Sequence, residues 1–279
     1  MNENTNTEFR DWKEMKRQQR DAVITAQRDA LMDVFMTGES LVTYLVGRGR
    51  LGSHLTSGNA ALVLQVKPDA RVVMNYDGWK RFGRSVGKGA EGIEVLTRNN
   101  GFLNTERVFE ISQTYGNKPY PNTEIAEDPD KLVAALAALE ELCLVSVEKA
   151  ETEKPPIVYE PEEKKICWNQ TADPADVFRL LPDAMVRATT DLHTAGVSAE
   201  DLTRLFSIAV SVELCGRFGV PVLEGAADVL NSFRDHVEVG MERETLESIR
   251  EISRTLGDHI AGKLVTEKAD LQPDRQEGR

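Results

Sequence analysis

The sequence predicts an α+β protein of two domains, a small α+β domain in the first half and a mainly helical domain with one β-hairpin in the second. Three observations carry this prediction. At 279 residues the chain is about two typical domains long. Apolar residues recur at three- and four-residue steps towards both ends, whereas alternating runs and glycine-rich turns crowd between residues 71 and 112. The charge also divides: residues 1–120 carry 17 basic against 14 acidic side chains, and residues 121–279 carry 17 against 32.

Residues 10–50 read as helical on the spacing of Leu31, Val34, Phe35, Leu41, Val42 and Leu45, with Gly38 as a break. The run Gly47-Arg48-Gly49-Arg50-Leu51-Gly52 is expected to end that pattern. Ser57-Gly58-Asn59 offers capping chemistry for a short apolar helix over Ala60–Gln65. Lys67-Pro68-Asp69 is a turn, Arg71–Tyr76 a strand, and Asp77–Arg84 a helix of one or two turns. The loop Gly87–Gly92 leads to strands over Ile93–Leu96 and Arg107–Ser112, closing the first domain near Gly116.

Residues 117–130, with three prolines, read as a linker. Asp128-Pro129 then caps a helix whose stripe is Leu132, Leu136, Leu139 and Leu142. Ile157–Tyr159 and Ile166–Trp168 form a hairpin about Glu160–Lys165. Helices follow at Pro174–His193, Ser198–Phe218 and Glu242–Leu264. The expected organisation is residues 1–116, a linker at 117–130, a second domain at 131–264 and a frayed, disordered tail at 265–279.

Composition excludes several classes. A net charge of −12 rules out a uniformly basic nucleic-acid binder, although residues 40–120 hold 11 basic against 6 acidic side chains. No run approaches 18 apolar residues, and the polar N-terminus lacks the marks of a secretory signal, so a cytoplasmic protein without membrane contact is expected. Cys143, Cys167 and Cys215 are too few and too distant for a disulfide framework or a cysteine zinc site. Cys215, in an apolar run, reads as a packed thiol, and His193 beside Asp191 as a helix end, since neighbours two apart face different ways.

Chemistry concentrates between Val73 and Leu96. Tyr76, Trp79, Lys80, Arg81 and Arg84 precede Lys88 on a loop whose glycines at 87, 89 and 92 allow close backbone approach to phosphate. Cations that follow phosphates and rings that stack bases are the two needs of single-stranded nucleic-acid binding. The competing reading is that Trp79 and Phe82, three apart on a short helix, pack inward and leave the cations as a solvated rim.

The pattern Ser57-Gly58-Asn59-Ala60, Gln65, Pro68-Asp69-Ala70, Tyr76-x-x-Trp79-Lys80-x-x-Gly83-Arg84-x-Val86-x-Lys88-Gly89-x-x-Gly92-Ile93 and Val108-Phe109-x-Ile111-Ser112-Gln113-Thr114 resembles the N-terminal domain of the ArdC-type antirestriction proteins of plasmids and conjugative elements. The likeness spans residues 55–116. It implies a single-stranded-DNA-binding domain in a protein that shields incoming DNA from restriction, with Trp79, Lys80, Arg84 and Lys88 at motif positions.

In that family the second domain resembles a zinc metallopeptidase, and the outline continues here in the hairpin ending at Trp168, a helix starting near Phe178, and Leu214–Gly219. The resemblance therefore implies a zincin-like second domain. It also puts Asp183, Ala184 and Arg187 where two histidines and a glutamate belong, and Ile208 near the third ligand. Neither alanine nor an arginine that stays protonated can serve, so no metal, cofactor or catalytic residue is expected, and Asp183 with Arg187 reads as a helical ion pair. The function expected is non-enzymatic single-stranded DNA binding with an antirestriction role, and the partners are that DNA and a restriction or conjugation protein. The alternative is an interaction module whose acidic second half binds a protein or mimics DNA.

Overall fold

The computed structural model of the chain describes residues 3–52, 54–120, 123–151, 155–193 and 200–270. The elements in order are α1 (Glu3–Val34), α2 (Gly38–Leu51), α3 (Ser57–Val66), β1 (Val73–Asn75), α4 (Tyr76–Phe82), β2 (Ser85–Val86), β3 (Ile93–Asn99), β4 (Phe102–Glu110), a 3-10 turn (Ile111–Gln113) and β5 (Thr114–Tyr115). They continue with α5 (Pro129–Glu141), β6 (Ser146–Ala150), β7 (Ile157–Glu160), β8 (Lys165–Asn169), α6 (Pro174–His193), α7 (Glu200–Phe218), α8 (Ala226–Arg234) and α9 (Glu242–Asp270). The fold is α+β. None of the described helices is long and apolar enough to cross a membrane.

The first sheet is antiparallel in the order β1-β4-β3, and β3 and β4 pair from Ile93↔Val108 to Asn99↔Phe102. Between them Asn100 and Gly101 both take positive φ, 51° and 83°, as the two-residue turns that follow strand twist require. The strand expected at Arg107–Ser112 thus starts earlier and ends at Glu110, where the chain tightens into the 3-10 turn. β2 and β5 form a separate antiparallel pair. The expected hairpin of β7 and β8 is present, but β8 also pairs in parallel with β6, a strand the alternation of the sequence does not announce.

The run Gly47–Gly52 does not end the helix. α2 continues to Leu51, because its glycines are sites of close approach. A Cβ on Gly49 would lie 2.1 Å from the Glu213 carbonyl oxygen, and one on Gly216 would lie 2.3 Å from that of Val46, so α2 and α7 pack backbone against backbone. Likewise a Cβ on Gly38 would lie 1.9 Å from the Ala227 oxygen of α8, the short helix missed in the sequence. Thr37 starts α2 with a reciprocal capping box to Ser40.

These contacts join the two halves. The apolar core runs without a break from Val23 of α1 through Leu41 and Leu45 of α2, Leu132 and Leu139 of α5, and Leu205 and Leu214 of α7 to Ile260 of α9. The later part of the expected linker is tied to this core: Ile125 is fully buried and donates its N–H to the Phe218 carbonyl at 2.9 Å, and Thr123 Oγ1 donates to the Arg217 carbonyl at 3.2 Å. α9 extends to Asp270, past the expected fraying point, and residues 271–279 lie outside the described residues, as do the Ser198 start of α7 and the side chains of Asp191 and His193.

Candidate nucleic-acid interface

The seven residues of α4 are held by caps at both ends. Asn75 accepts from the Gly78 N–H at 2.7 Å and donates Nδ2 to Glu106 on β4 at 2.9 Å. At the other end Gly83 takes a left-handed φ of 87°, while the N–H groups of Gly83 and Arg84 return to the carbonyls of Lys80 and Trp79. This short, rigid helix fixes the direction of every side chain from Tyr76 to Phe82.

Trp79 points inward. Its ring is wholly buried, stands edge-on to Phe82 and donates its indole N–H to the Phe109 carbonyl at 2.8 Å. It cannot stack a base, so of the two rings only Tyr76, 59% exposed, is free to do so. Lys80 lies one helical turn from Tyr76 on the same face and is exposed.

Arg84 is committed to the fold. Nε donates to Thr114 Oγ1 at 2.8 Å, while the terminal nitrogens reach the carbonyls of Thr114, Gly116 and Lys118 at 2.9–3.1 Å. Its guanidinium clamps the end of β5 in place of a phosphate. Lys88 is exposed on the glycine loop, but it lies in a separate shallow depression with Gly87, Gly89 and Tyr115. The expected cluster is therefore divided among the interior, a clamp, an exposed helix face and a loop.

Arg81 alone of the expected set enters a large cleft of about 830 Å³, within the ~300–1,000 Å³ range of small-molecule sites. α1, α3 and the start of α9 make one side, with Gln27, Thr56 and Arg243; the first sheet and α4 make the other, with Asn75, Arg81, Arg98 and Glu106. Among the described residues the side chains of Arg81 and Arg98 have no ion-pair or hydrogen-bond partner. Arg243 donates to Gln27 Oε1 at 2.5 Å. The two acids of the cleft are occupied: Glu106 accepts from Asn75, and Glu247 accepts from the Ser57 N–H and Arg250 Nε, each at 2.6 Å. The cleft lining thus carries three exposed arginines, Arg81, Arg98 and Arg243.

Asn59 positions the cleft wall and is not the cap that the sequence suggested. Thr56 caps α3, whereas the buried Asn59 amide accepts from Leu96 N–H at 3.0 Å and Gln27 Nε2 at 2.9 Å, and donates to the Leu96 carbonyl at 2.7 Å. One side chain thereby ties α3 and α1 to the edge of β3. Arg98 lies on β3 and was legible only with the full length of that strand; Arg243 comes from the far end of the chain and left no local signal.

In the second half Asp183 does pair with Arg187, at 3.7 Å, and Arg204 Nη1 and Ser207 Oγ also reach it at 3.3 and 2.6 Å. Ala184 is buried, and Ile208 lines a pocket of about 130 Å³ with Asp183, Arg204 and Cys215. Asp183 is taken up by two guanidiniums, with an alanine and an isoleucine beside it and Glu224 as the one other acid among the described residues of the pocket, and this is not a donor set that fits a divalent cation. Among the described residues no group of three His, Cys, Asp or Glu could hold a metal. Burial pushes the Cys215 thiol up to about 12, which keeps it an inert packing group.

No protein-family model and no curated protein matches the chain. Among solved structures it is similar to antirestriction proteins. Two crystal structures of ArdC from plasmid R388 match, the metal-free form at 16% identity over 75% of this chain and 85% of that one, with a TM-score of 0.48, and the Mn(II)-bound form at 17% over 80% and 96%, with a TM-score of 0.45.

Proposed function

We propose that the chain is a non-enzymatic single-stranded-DNA-binding protein with an antirestriction role. The observation that carries this reading is the cleft between α1, α3 and the first sheet, where the side chains of Arg81 and Arg98 have no partner among the described residues and the cleft acids are held by local donors, Glu106 by the Asn75 amide and Glu247 by Ser57 N–H and Arg250. The sequence resemblance over residues 55–116 supports the same reading. The cations, Arg81, Arg98 and Arg243, would hold phosphates, with Lys80 and Tyr76 on the adjoining face of α4 and Lys88 reached only by a longer strand.

The acidic second half offers less to the interaction-module reading, because several of its carboxylates are engaged. Glu140 pairs with Lys149, Glu141 with Lys263 and His259, Glu148, Glu160 and Glu163 with Lys165, and Asp258 with Arg217.

Competition measured by fluorescence anisotropy tests the proposal. A labelled single-stranded 20-mer should bind, and unlabelled single strand should displace it far better than the equivalent duplex. Equal displacement by both, or no binding in low salt, would refute the reading.

A further inference from the structure

The cleft opens onto α1, and the helix face that lines it there continues towards the N-terminus as a row of cations. Ile24 and Gln27 are the α1 residues of the cleft. At about 100° per residue, Arg10, Lys13, Lys16, Arg17 and Arg20 fall within about 120° of arc, the same arc that holds Ile24 and Gln27, while Asp11, Glu14 and Asp21 fall outside it. Residues 10–18 are exposed. Arg17 and Arg20 approach Asp21 only at 3.7 Å, a separation that in solvent holds neither side chain firmly. Trp12, 51% exposed, borders the row. Gln19 donates to Glu94 of β3, which fixes the arm beside the first sheet.

Five cations on one face, a half-exposed indole at its edge and direct continuity with the cleft reproduce the two requirements for gripping an unpaired strand. We infer that the segment Arg10–Arg20 is a second contact for the same DNA strand, which leaves the cleft at Gln27 and runs along α1 for about 25 Å to Arg10. This inference rests on the cleft being a single-strand site. It adds a length requirement: a strand confined to the cleft misses the arm, and a longer one reaches it.

The test compares labelled dT6 and dT20 on the full chain and on Arg10→Ala/Lys13→Ala/Arg17→Ala, whose alanines preserve helix propensity. For dT20 the variant should lose about tenfold or more in affinity at low salt, and its salt slope should fall by about 2, from ~0.7 per lost phosphate contact. Binding of dT6 should not change. The charge-conserving Arg10→Lys/Arg17→Lys variant should retain the wild-type slope. If the alanine variant binds dT20 as wild type does, the arm is not a contact and the cleft reading survives. If wild type binds neither length, both fall.

Discussion

Gly49 of α2 and Gly216 of α7 bring two helices so close that a methyl group on Gly49 would lie 2.1 Å from the Glu213 carbonyl oxygen. Side chains cannot relieve such a contact, because the opposing atoms are backbone on a helix buried along most of its length. Gly49→Ala should therefore cost about 3 kcal/mol or more, at or beyond the top of the usual overpacking range. Gly262→Ala, on α9 with open space around the added carbon, should stabilise by about 0.5–1 kcal/mol. Urea titration of the two variants measures both, and equal effects would refute the packing argument.

The same helix contact buries Glu213. Burial pushes its carboxyl from the ordinary 4.5 up to about 7, although the guanidiniums of Arg48, Arg217 and Arg250 pull the other way. Between those two pH values the native state keeps a proton that the unfolded chain has released. Stability should fall as pH rises from about 4.5 to about 7 and level off above it. Glu213→Gln should flatten the thermal midpoint across that window; a variant that keeps the wild-type slope would contradict the assignment.

Asp183 is the one carboxylate shared by Arg187 and Arg204 among the described residues. Asp183→Ala removes the shared partner and leaves Ser207 only the Arg204 carbonyl as acceptor, and should cost about 1–3 kcal/mol in urea unfolding. Because the donor set does not fit a cation, neither chelator nor added zinc should move the thermal midpoint of the wild-type protein. A midpoint raised by stoichiometric zinc would overturn that account.

Trp79 and Tyr76, three residues apart on α4, should behave oppositely. Trp79→Phe removes the indole N–H donor to the Phe109 carbonyl and should lower stability by about 1–3 kcal/mol. Tyr76→Ala should change stability by no more than about 0.5 kcal/mol while weakening single-strand binding by about 1–3 kcal/mol. Calorimetry and anisotropy on both variants separate the two roles.

Much of this architecture is legible in the sequence, for reasons that show where such reading stops. The leucine stripe of α5, its Asp128 cap and the periodicity of α9 are local signals, and the structure has those elements there. The Asn100-Gly101 turn was equally local and would have given the full length of β3 and β4, and with it Arg98. Gly47, Gly49 and Asn59 mislead because their partners are distant in sequence. A glycine that permits a helix crossing looks like a breaker, and an asparagine that satisfies a strand edge looks like a cap. For the same reason Arg84 resembles a phosphate ligand until Thr114, Gly116 and Lys118 are brought to it.

The central claim is that cations of the cleft meet phosphates, and the salt dependence of binding to a single-stranded 20-mer tests it most directly. Arg81→Ala/Arg98→Ala should lower the slope of log K against log salt by about 1.4, at ~0.7 per contact. Arg84→Ala, folded at lower stability, should leave the slope as it is. An unchanged slope in the double variant, or a loss confined to Arg84→Ala, would contradict the account.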